Sequence, residues 1–462
     1  MRDEGQIGTC RKEFSDGRQL RFFSLVVVSV LLASGLSSFA AAQVVITEYP
    51  ITTPSSAPFW ITTGPDGNLW FTEKDANKIG RMTPAGVVTG EFPVLTPDPE
   101  GPRIITPGPD GNLWFTEEGA DKIGRITPSG TVTEFPVPTA AATLGGITAG
   151  PDGNLWFTEI SANQIGRITT AGMITEFPII TPAAGMRDIT AGSDGRLWFC
   201  ERDANKIGAI TTSGTVQEFP VTTASAQPGS IAAGPDGNLW FTEEALNKVG
   251  RITTAGVITE FPGLAGSGGF SIAAGPDGNL WETEQTRNLI ARITTAGVIT
   301  EYPVPTPSSL PRGIAAGPDH NVWFVERGSN QVAKVGIPKQ FFTVTPCRVA
   351  DTRGPAGPYG APSLSGGADR TFVIGGQCGI PSNAAGVSFN FTVTNGTGGG
   401  DVRIFPASTP RPLVSTLNWS AGQTRANNAV TALGPSGDIT VHTDEPGGTV
   451  DFIIDVNGYF GF

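Results

Sequence analysis

The sequence predicts an all-β protein, namely a seven-bladed β-propeller closed by its N-terminal strand and followed by a β-sandwich-like domain. Three observations support this prediction. Gly (62) and Pro (38) are too abundant among 462 residues for a mostly helical chain, since neither residue is tolerated in helix interiors. A tryptophan-centred phrase recurs seven times along the chain. Each period contains four short strand patterns separated by turn residues.

Residues 1–42 have the order of a secretory signal peptide. Arg18 and Arg21 precede an apolar run from Phe22 to Leu32, and small residues follow as far as Ala42. The apolar run is shorter than a membrane-spanning helix, and no later segment approaches that length. We therefore expect a secreted or extracytoplasmic protein, in the periplasm or at the cell surface, with no membrane span in the mature chain. We also expect a monomer.

The acidic balance of the chain excludes one class of partner. The formal net charge is −12, and no basic stretch of the kind that contacts phosphate backbones is present. Nucleic acid is therefore not an expected ligand.

The repeated phrase GPDGNLWFTE defines the blades of residues 43–339. Its tryptophans are spaced by 41 to 44 residues, which is the length of a four-stranded propeller blade; they are Trp70, Trp114, Trp156, Trp198, Trp240, Trp281 and Trp323. One period reads as strands at 147–150, 155–159, 164–169 and 173–178. The Asp-Gly dipeptides provide the positive φ that tight hairpins require.

The two ends of the repeat region predict how the ring closes. The seventh repeat stops near Ile337 without a fourth strand, whereas residues 45–50 read as a fourth strand with nothing before them. Pairing the two removes the open sheet edges. Residues 340–462 lack the repeat and form a separate β domain, in which Cys347 and Cys378 are the expected disulfide. Cys200 is expected to be a buried, unpaired residue.

A ring of glutamates is the first candidate functional feature. Counting outward from each Asp-Gly turn pairs the Glu after each Trp-Phe-Thr with the residue 14 positions earlier. The pairs are Phe59/Glu73, Arg103/Glu117, Gly145/Glu159, Arg187/Glu201, Gly229/Glu243, Phe270/Glu284 and Arg312/Glu326. All are expected at one mouth of the propeller, which predicts Arg103, Arg187, Arg312 and Phe270 as ligand-binding residues.

Two interpretations of the glutamates remain open. Seven carboxylates and three guanidinium groups at one rim predict an excess of negative charge, which magnesium or calcium with oxygen ligands would offset. Sevenfold repetition instead favours structural ion pairs, either across the hairpin or with third-strand arginines. These arginines are Arg81, Arg125, Arg167, Arg251 and Arg292.

The sixth repeat departs from the others. It has Glu282 where six repeats have Phe, and Glu282 and Glu284 face the same side of their strand. A charge at an apolar position costs stability unless it is partnered, so the pair is a candidate acid pair or metal site, with sequence drift as the alternative. His320 and His442 are the only two histidines, and both are expected at the surface.

The phrases GPDGNLWFTE, NKIGRIT and ITEFP across residues 46–337 resemble the streptogramin lyase (virginiamycin B lyase) family. The resemblance implies a seven-bladed propeller that opens cyclic streptogramin B antibiotics at their ester by elimination, with magnesium at the propeller mouth. It also implies a metal-site Glu at Glu284 and Glu326. Around Cys347, Gln423 and Asn457, the tail resembles a C-terminal module of secreted bacterial proteins.

The sequence departs from the family at the catalytic histidines. The corresponding positions hold Gly229, Phe270 and Arg312, and Arg cannot act as a base near neutral pH. This departure favours an exported propeller that binds a small-molecule, peptide or polysaccharide ligand at its mouth. The alternative is an active metal-dependent carbon–oxygen lyase whose candidate catalytic residues are Glu282, Glu284 and Glu326.

Overall fold

The structure is a computed structural model that describes residues 44–461, except 98–99, 247, 264–267, 383 and 446. The predicted signal peptide lies outside the described residues. All regular elements of the described chain are β-strands, and none of its segments is a helix able to cross a membrane.

Residues 45–336 form seven antiparallel sheets of four strands each. The strands are β1 (Val45–Pro50), β2 (Pro58–Thr63), β3 (Leu69–Glu73), β4 (Lys78–Met82), β5 (Val88–Pro93), β6 (Pro102–Pro107), β7 (Leu113–Glu117), β8 (Lys122–Ile126), β9 (Val132–Pro136), β10 (Leu144–Ala149), β11 (Leu155–Glu159), β12 (Gln164–Ile168), β13 (Ile174–Pro178), β14 (Met186–Ala191), β15 (Leu197–Glu201), β16 (Lys206–Ile210), β17 (Val216–Pro220), β18 (Pro228–Ala233), β19 (Leu239–Glu243), β20 (Lys248–Ile252), β21 (Ile258–Pro262), β22 (Ser271–Ala274), β23 (Leu280–Glu284), β24 (Leu289–Ile293), β25 (Ile299–Pro303), β26 (Pro311–Ala316), β27 (Val322–Glu326) and β28 (Gln331–Gly336).

The sheets are arranged radially. Each first strand contacts the first strand of the next sheet, and β26 of the last sheet contacts β2 of the first. β1 pairs with β28 and is the outer strand of the last sheet, with Val45 opposite Gly336 and Pro50 opposite Gln331. An all-β propeller, as expected from the repeats, is confirmed.

An aspartate clamp in each turn between the first and second strands explains the repeated phrase. In the third sheet, Asp152 Oδ1 accepts hydrogen bonds from Asn154 N (3.2 Å) and from the indole Nε1 of Trp156 (3.0 Å). A Cβ at Gly150 would lie 2.4 Å from Trp156 Cδ1, so only glycine fits beside the indole. The indole–aspartate bond recurs in all seven sheets at 2.9–3.2 Å.

The clamped tryptophans form the core between neighbouring sheets. Every one of the seven is fully buried, and each stacks on an aromatic ring of its own fourth strand, as Trp156 does on Phe177 at 5.5 Å. Arg167 of the third strand lies over both rings and donates to Thr212 O in the next sheet. The repeat therefore links each turn to its sheet and each sheet to its neighbour.

Residues 340–461 form two sheets around one hydrophobic core. Their strands are β29 (Gln340–Asp351), β30 (Leu364–Ser365), β31 (Asp369–Val373), β32 (Gly386–Thr394), β33 (Gly400–Pro406), β34 (Leu417–Trp419), β35 (Arg425–Ala432), β36 (Asp438–Thr443) and β37 (Thr449–Gly461). Cys347 and Cys378 are joined by a disulfide, and Cys200 of β15 is buried and free. The expected surface position of His442 is wrong: its side chain is buried between Asp369 and Asp444 and contacts Arg411.

Replacing one clamp aspartate should destabilise the propeller measurably. Asp152→Ala removes acceptors for a buried indole and a turn amide, so we expect the free energy of unfolding to fall by about 1–3 kcal/mol. Asp75→Ala is the matched control, because the Asp75 side chain is 55% exposed and its Oδ1 lies 3.9 Å from Arg327 Nη2. Equal losses in denaturant unfolding of the two variants would contradict the role given to the clamp.

Candidate functional site

The glutamate ring has a different register from the one expected. In six sheets a β-bulge near the start of the first strand shifts the pairing, so that Glu243 lies opposite Pro228 and not Gly229. The same shift occurs in the sheets of Glu73, Glu117, Glu159, Glu201 and Glu326. In the sixth sheet, β22 begins at Ser271 and pairs regularly from there. The bulge takes up one residue, which the symmetric count from the turn did not include.

The seven glutamates are also buried and do not line an open rim. Their side chains are 0–2% exposed. A Cβ placed at Gly208 of β16 would lie 2.8 Å from Glu201 Oε1, so the Glu201 carboxyl extends over the third strand, toward Glu218 of the fourth. The expected excess of exposed negative charge at the mouth is therefore wrong.

Burial favours the protonated form of six of these carboxyls. Burial, followed by the charge of a neighbouring acid, raises the pKa of Glu159 and Glu201 to about 8 and that of Glu73, Glu243 and Glu284 to about 7. Burial also raises the pKa of Glu326 to about 7. The protonated form removes the repulsion from the second acid.

The neighbouring acid of the fourth strand ties adjacent parts of the propeller together. Glu218 accepts from Thr181 N (2.8 Å) and Thr181 Oγ1 (2.6 Å) in the preceding connection, and from Lys206 Nζ (2.8 Å). Although burial opposes it, these hydrogen bonds hold the pKa of Glu218 below its usual value. In this pair the environment therefore raises the pKa of Glu201 and lowers that of Glu218.

The third-strand arginines do not pair with the glutamate ring, so that expectation is wrong. Arg81, Arg125, Arg167 and Arg251 lie over the tryptophan and phenylalanine rings of their own sheets and donate to carbonyl oxygens of the next sheet. Arg292 pairs with Asp277 at 2.7 Å.

Glu282 and Glu284 are close neighbours in the sixth sheet. Both are buried, and burial together with the Glu284 charge raises the pKa of Glu282 well above its usual value. Arg287 lies between Glu284 and Glu301, with Nη1 2.6 Å from Glu284 Oε2 and 2.5 Å from Glu301 Oε1. Glu284 is therefore engaged by a cation of the chain.

The two glutamates expected to bind metal have separate partners. Glu326 accepts from Ser329 Oγ at 2.5 Å, whereas Glu284 contacts Arg287. Across the described residues, no group of three or more His, Cys, Asp or Glu side chains is placed to hold a metal ion. Because Glu284 and Glu326 have separate partners within the chain, magnesium or calcium at these two residues stays a prediction without geometric support.

The first-strand residues expected to bind ligand do come together, in what we call the mouth cavity. This cavity has a volume of about 150 Å³ and lies where the first strands begin; Phe59, Arg103, Arg187, Asp188 and Phe270 are among the residues that line it. The rings of Phe59 and Phe270 meet edge to face at 5.7 Å.

Arg312 completes one wall of this arrangement. Its guanidinium carbon lies 4.4 Å from the ring centroid of Phe270 and 4.9 Å from that of Phe59. Arg103 approaches the other side of Phe59, at 5.7 Å. Burial, then the charges of Arg327 and Arg103, lowers the pKa of Arg312 to about 10, and burial with Arg103 also lowers that of Arg187.

Asp188 is a site residue that the sequence reasoning missed. It separates the mouth cavity from a channel cavity of about 340 Å³ lined by the first strands, and it contributes to both. Its Oδ2 accepts from Ser230 Oγ (2.8 Å) and Ile231 N (3.3 Å), and burial raises its pKa to about 6.

A signal for Asp188 is present in the repeats. The residue before the repeated Ile of each first strand varies among the sheets, with Gly and Ser each occurring twice, whereas that Ile is constant; the seven residues are Trp60, Ile104, Gly146, Asp188, Ser230, Ser271 and Gly313. First-strand positions that do not follow the repeat give the sheets different side chains at this end of the channel. A single ligand bound there would contact different residues from different sheets.

The buried glutamates predict a loss of stability at alkaline pH. The pKa of Glu201 is about 8 in the folded state and near 4.5 when exposed, so its contribution is complete below about pH 4.5 and is lost as the pH rises toward 8. Glu201→Gln should therefore match the parent protein at pH 5 and exceed its unfolding free energy at about pH 8.5 by on the order of 2 kcal/mol.

Glu218→Gln is the matched control for this experiment. It removes the ionised partner that Thr181 and Lys206 hold, so it should destabilise the protein at both pH values. Urea unfolding at the two pH values measures both effects. A Glu201→Gln variant that is no more stable than the parent at high pH would show that the pKa of Glu201 is not raised in the folded protein.

Comparisons with known proteins agree with this architecture. The sequence profile of the Virginiamycin B lyase family matches residues 40–205 and 180–345. A solved streptogramin B lyase is 38% identical, with a TM-score of 0.62 over 65% of this chain and 100% of that one. Virginiamycin B lyase from Staphylococcus aureus is 39% identical, with a TM-score of 0.61 over 64% of this chain and 100% of that one.

Matches to curated sequences are more local. Virginiamycin B lyase of Bordetella parapertussis is 44% identical over 52 residues, which are 11% of this chain. The aligned part spans only 17% of the length of that relative. Virginiamycin B lyase of Bacillus licheniformis is 46% identical over 44 residues, which are 10% of this chain and 15% of that relative. Because the profile covers most of the chain and whole lyase structures align with it, this chain belongs to the virginiamycin B lyase family.

Proposed function

We propose that this protein is a ligand-binding propeller of the virginiamycin B lyase family that holds its ligand in the mouth cavity. The observation that supports this proposal best is the convergence of Arg103, Arg187 and Phe270, drawn from three different sheets, around one cavity, with Arg312 stacked on the Phe270 ring. Phe270 and Arg312 occupy positions where the family resemblance implies catalytic imidazoles. A guanidinium group binds but does not abstract protons near neutral pH.

The lyase activity remains the second candidate function. One of the solved relatives is a catalytically inactive histidine-to-alanine variant of virginiamycin B lyase from Staphylococcus aureus with quinupristin. In this chain, Asp188 supplies a carboxyl with a pKa of about 6 at the cavity wall, which is suited to general base catalysis near neutral pH. Glu282, Glu284 and Glu326 are not among the residues that line the mouth cavity.

Export of the protein is part of the same proposal. The disulfide between Cys347 and Cys378 favours an oxidising compartment, in agreement with the signal-peptide pattern of residues 1–42. An extracytoplasmic binding protein would meet its ligand outside the cytoplasm.

Binding and turnover can be separated with the full mature chain and two probes, quinupristin and benzoate. We expect saturable binding of at least one probe and recovery of unchanged quinupristin. Phe270→Ala should weaken binding by about tenfold, because it removes a wall of the cavity and the partner ring of Arg312. Phe341→Ala is the matched control, since Phe341 is 47% exposed in the C-terminal domain. Calorimetry and ligand-observed NMR measure the affinities.

Mass spectrometry of the quinupristin sample distinguishes the two candidate functions. Elimination at the ester opens the ring without a change of mass, whereas hydrolysis adds one water, so chromatography must accompany the mass measurement. A ring-opened isomer that is lost in Asp188→Asn would replace the binding proposal with the lyase. Absence of binding by both probes, or equal binding by Phe270→Ala, would overturn the proposed function.

A further inference from the structure

The mouth cavity is lined by two arginines, Arg103 and Arg187, and by two acids, Asp188 and Glu244, while Arg312 stacks on its phenylalanine wall. Arg103 pairs with Glu118, which also binds Lys74 at 2.7 Å. Glu244 is engaged by Arg202 Nε at 2.8 Å. Arg187 and Arg312 have no ion pair within the part of the chain that the structure describes.

The inner nitrogens of these guanidinium groups are also unsatisfied. The Nε atoms of Arg103, Arg187 and Arg312 are buried and have no hydrogen-bond partner among the described residues. Burying a donor without an acceptor, and a charge without a counterion, costs stability. The Nε of Arg251, a structural arginine, is likewise without a partner, so the missing ion pair is what distinguishes Arg187 and Arg312.

We propose, on the basis of the ligand-binding function above, that the mouth cavity takes the carboxylate or phosphate of an anionic ligand on Arg103 and Arg187, with Arg312 adding its charge from behind the Phe59 and Phe270 rings. Guanidinium groups bind either anion through paired, charge-assisted hydrogen bonds. The three arginines come from the second, fourth and seventh sheets, so they approach the cavity from different sides.

Structural arginines in the same protein show the contrast. Arg81, Arg125, Arg167 and Arg251 also stack on aromatic rings, but each of them donates to a carbonyl oxygen of the next sheet. The side chains of Arg187 and Arg312 have no such acceptor in the described residues. Stacking alone therefore does not explain the mouth arginines, whereas an anion from outside the chain would complete them.

The shape of the cavity restricts what can carry the anion. A cavity of about 150 Å³ is large enough for a group of the size of a benzene ring. Phe59, Phe270, Trp60 and Ile104 supply apolar walls, and Gly229 adds no side chain. The ligand class is therefore a compact apolar group that bears a carboxylate or a phosphate.

The test compares three probes of similar size on the full mature chain, namely benzoate, phenyl phosphate and the neutral isostere benzamide. We expect benzoate or phenyl phosphate to bind at least about tenfold more tightly than benzamide, with an affinity that falls as the salt concentration rises. Whichever of the two anions binds more tightly indicates whether the ligand carries a carboxylate or a phosphate. NMR titration measures the dissociation constants.

Charge-removing variants assign the effect to the mouth. Arg187→Gln and Arg312→Gln should each weaken the preferred anion by about tenfold and leave benzamide unchanged. Arg251→Gln is the control, since Arg251 stacks on Trp240 and donates to Thr295 O away from the mouth. The ligand-free Arg312→Gln variant should also have a higher Tm than the parent, because it removes a buried, unpaired charge, whereas Arg251→Gln should have a lower one.

The outcomes separate this inference from the proposed function. Benzamide binding as tightly as both anions, or anion binding that survives Arg187→Gln and Arg312→Gln, overturns the anion site while ligand binding at the mouth stands. Failure of all three probes and of quinupristin overturns both. A lower Tm of Arg312→Gln would show that this arginine stabilises the fold.

Discussion

The hydrogen bond between a turn aspartate and a tryptophan indole is the interaction on which the rest of this propeller depends. It fixes the turn between the first and second strands through Asn154 and at the same time sets the orientation of Trp156. The oriented indole then stacks on Phe177 and supports Arg167, which reaches the next sheet. One short-range contact, repeated seven times, thereby determines the packing between sheets.

Acid pairs add a second, longer-range constraint on the same framework. In the fourth sheet, ionised Glu218 ties its strand to Thr181, while neutral Glu201 lies buried beside it. The sixth sheet satisfies the corresponding Glu301 differently, through both nitrogens of Arg287. Arg287 also contacts Glu284 of the second strand. Glu284, Arg287 and Glu301 therefore form one connected cluster in this sheet.

The mouth cavity lies at the one end of the first strands where the residues vary among the sheets. The turns, the tryptophans and the acid pairs recur from sheet to sheet, but the residues at the start of the first strands do not. Ser230 Oγ donates to Asp188 of the preceding sheet, and Arg312 lies against two phenylalanines contributed by different sheets. A regular framework thus presents an irregular cavity lined by both arginines and acids.

The sequence by itself determined the elements that depend on local contacts. The period, the four strands, the Asp-Gly turns and the pairing of β1 with β28 follow from residues that are close in sequence or from patterns repeated seven times. The family was likewise evident from the repeated phrases. The grouping of Arg103, Arg187, Arg312 and Phe270 was also predicted, since equivalent positions of a radial repeat meet at one end of its axis.

Tertiary structure alone decided the environment of the charged residues. The β-bulge that places Glu243 opposite Pro228 cannot be counted from the turn, because the extra residue leaves the strand pattern unchanged. Whether a glutamate faces solvent or a neighbouring sheet depends on packing across sheets, which made Glu201 neutral and buried. The same long-range packing buried His442 and Asp188, because burial and pKa are set by atoms distant in sequence and not by the residues beside them.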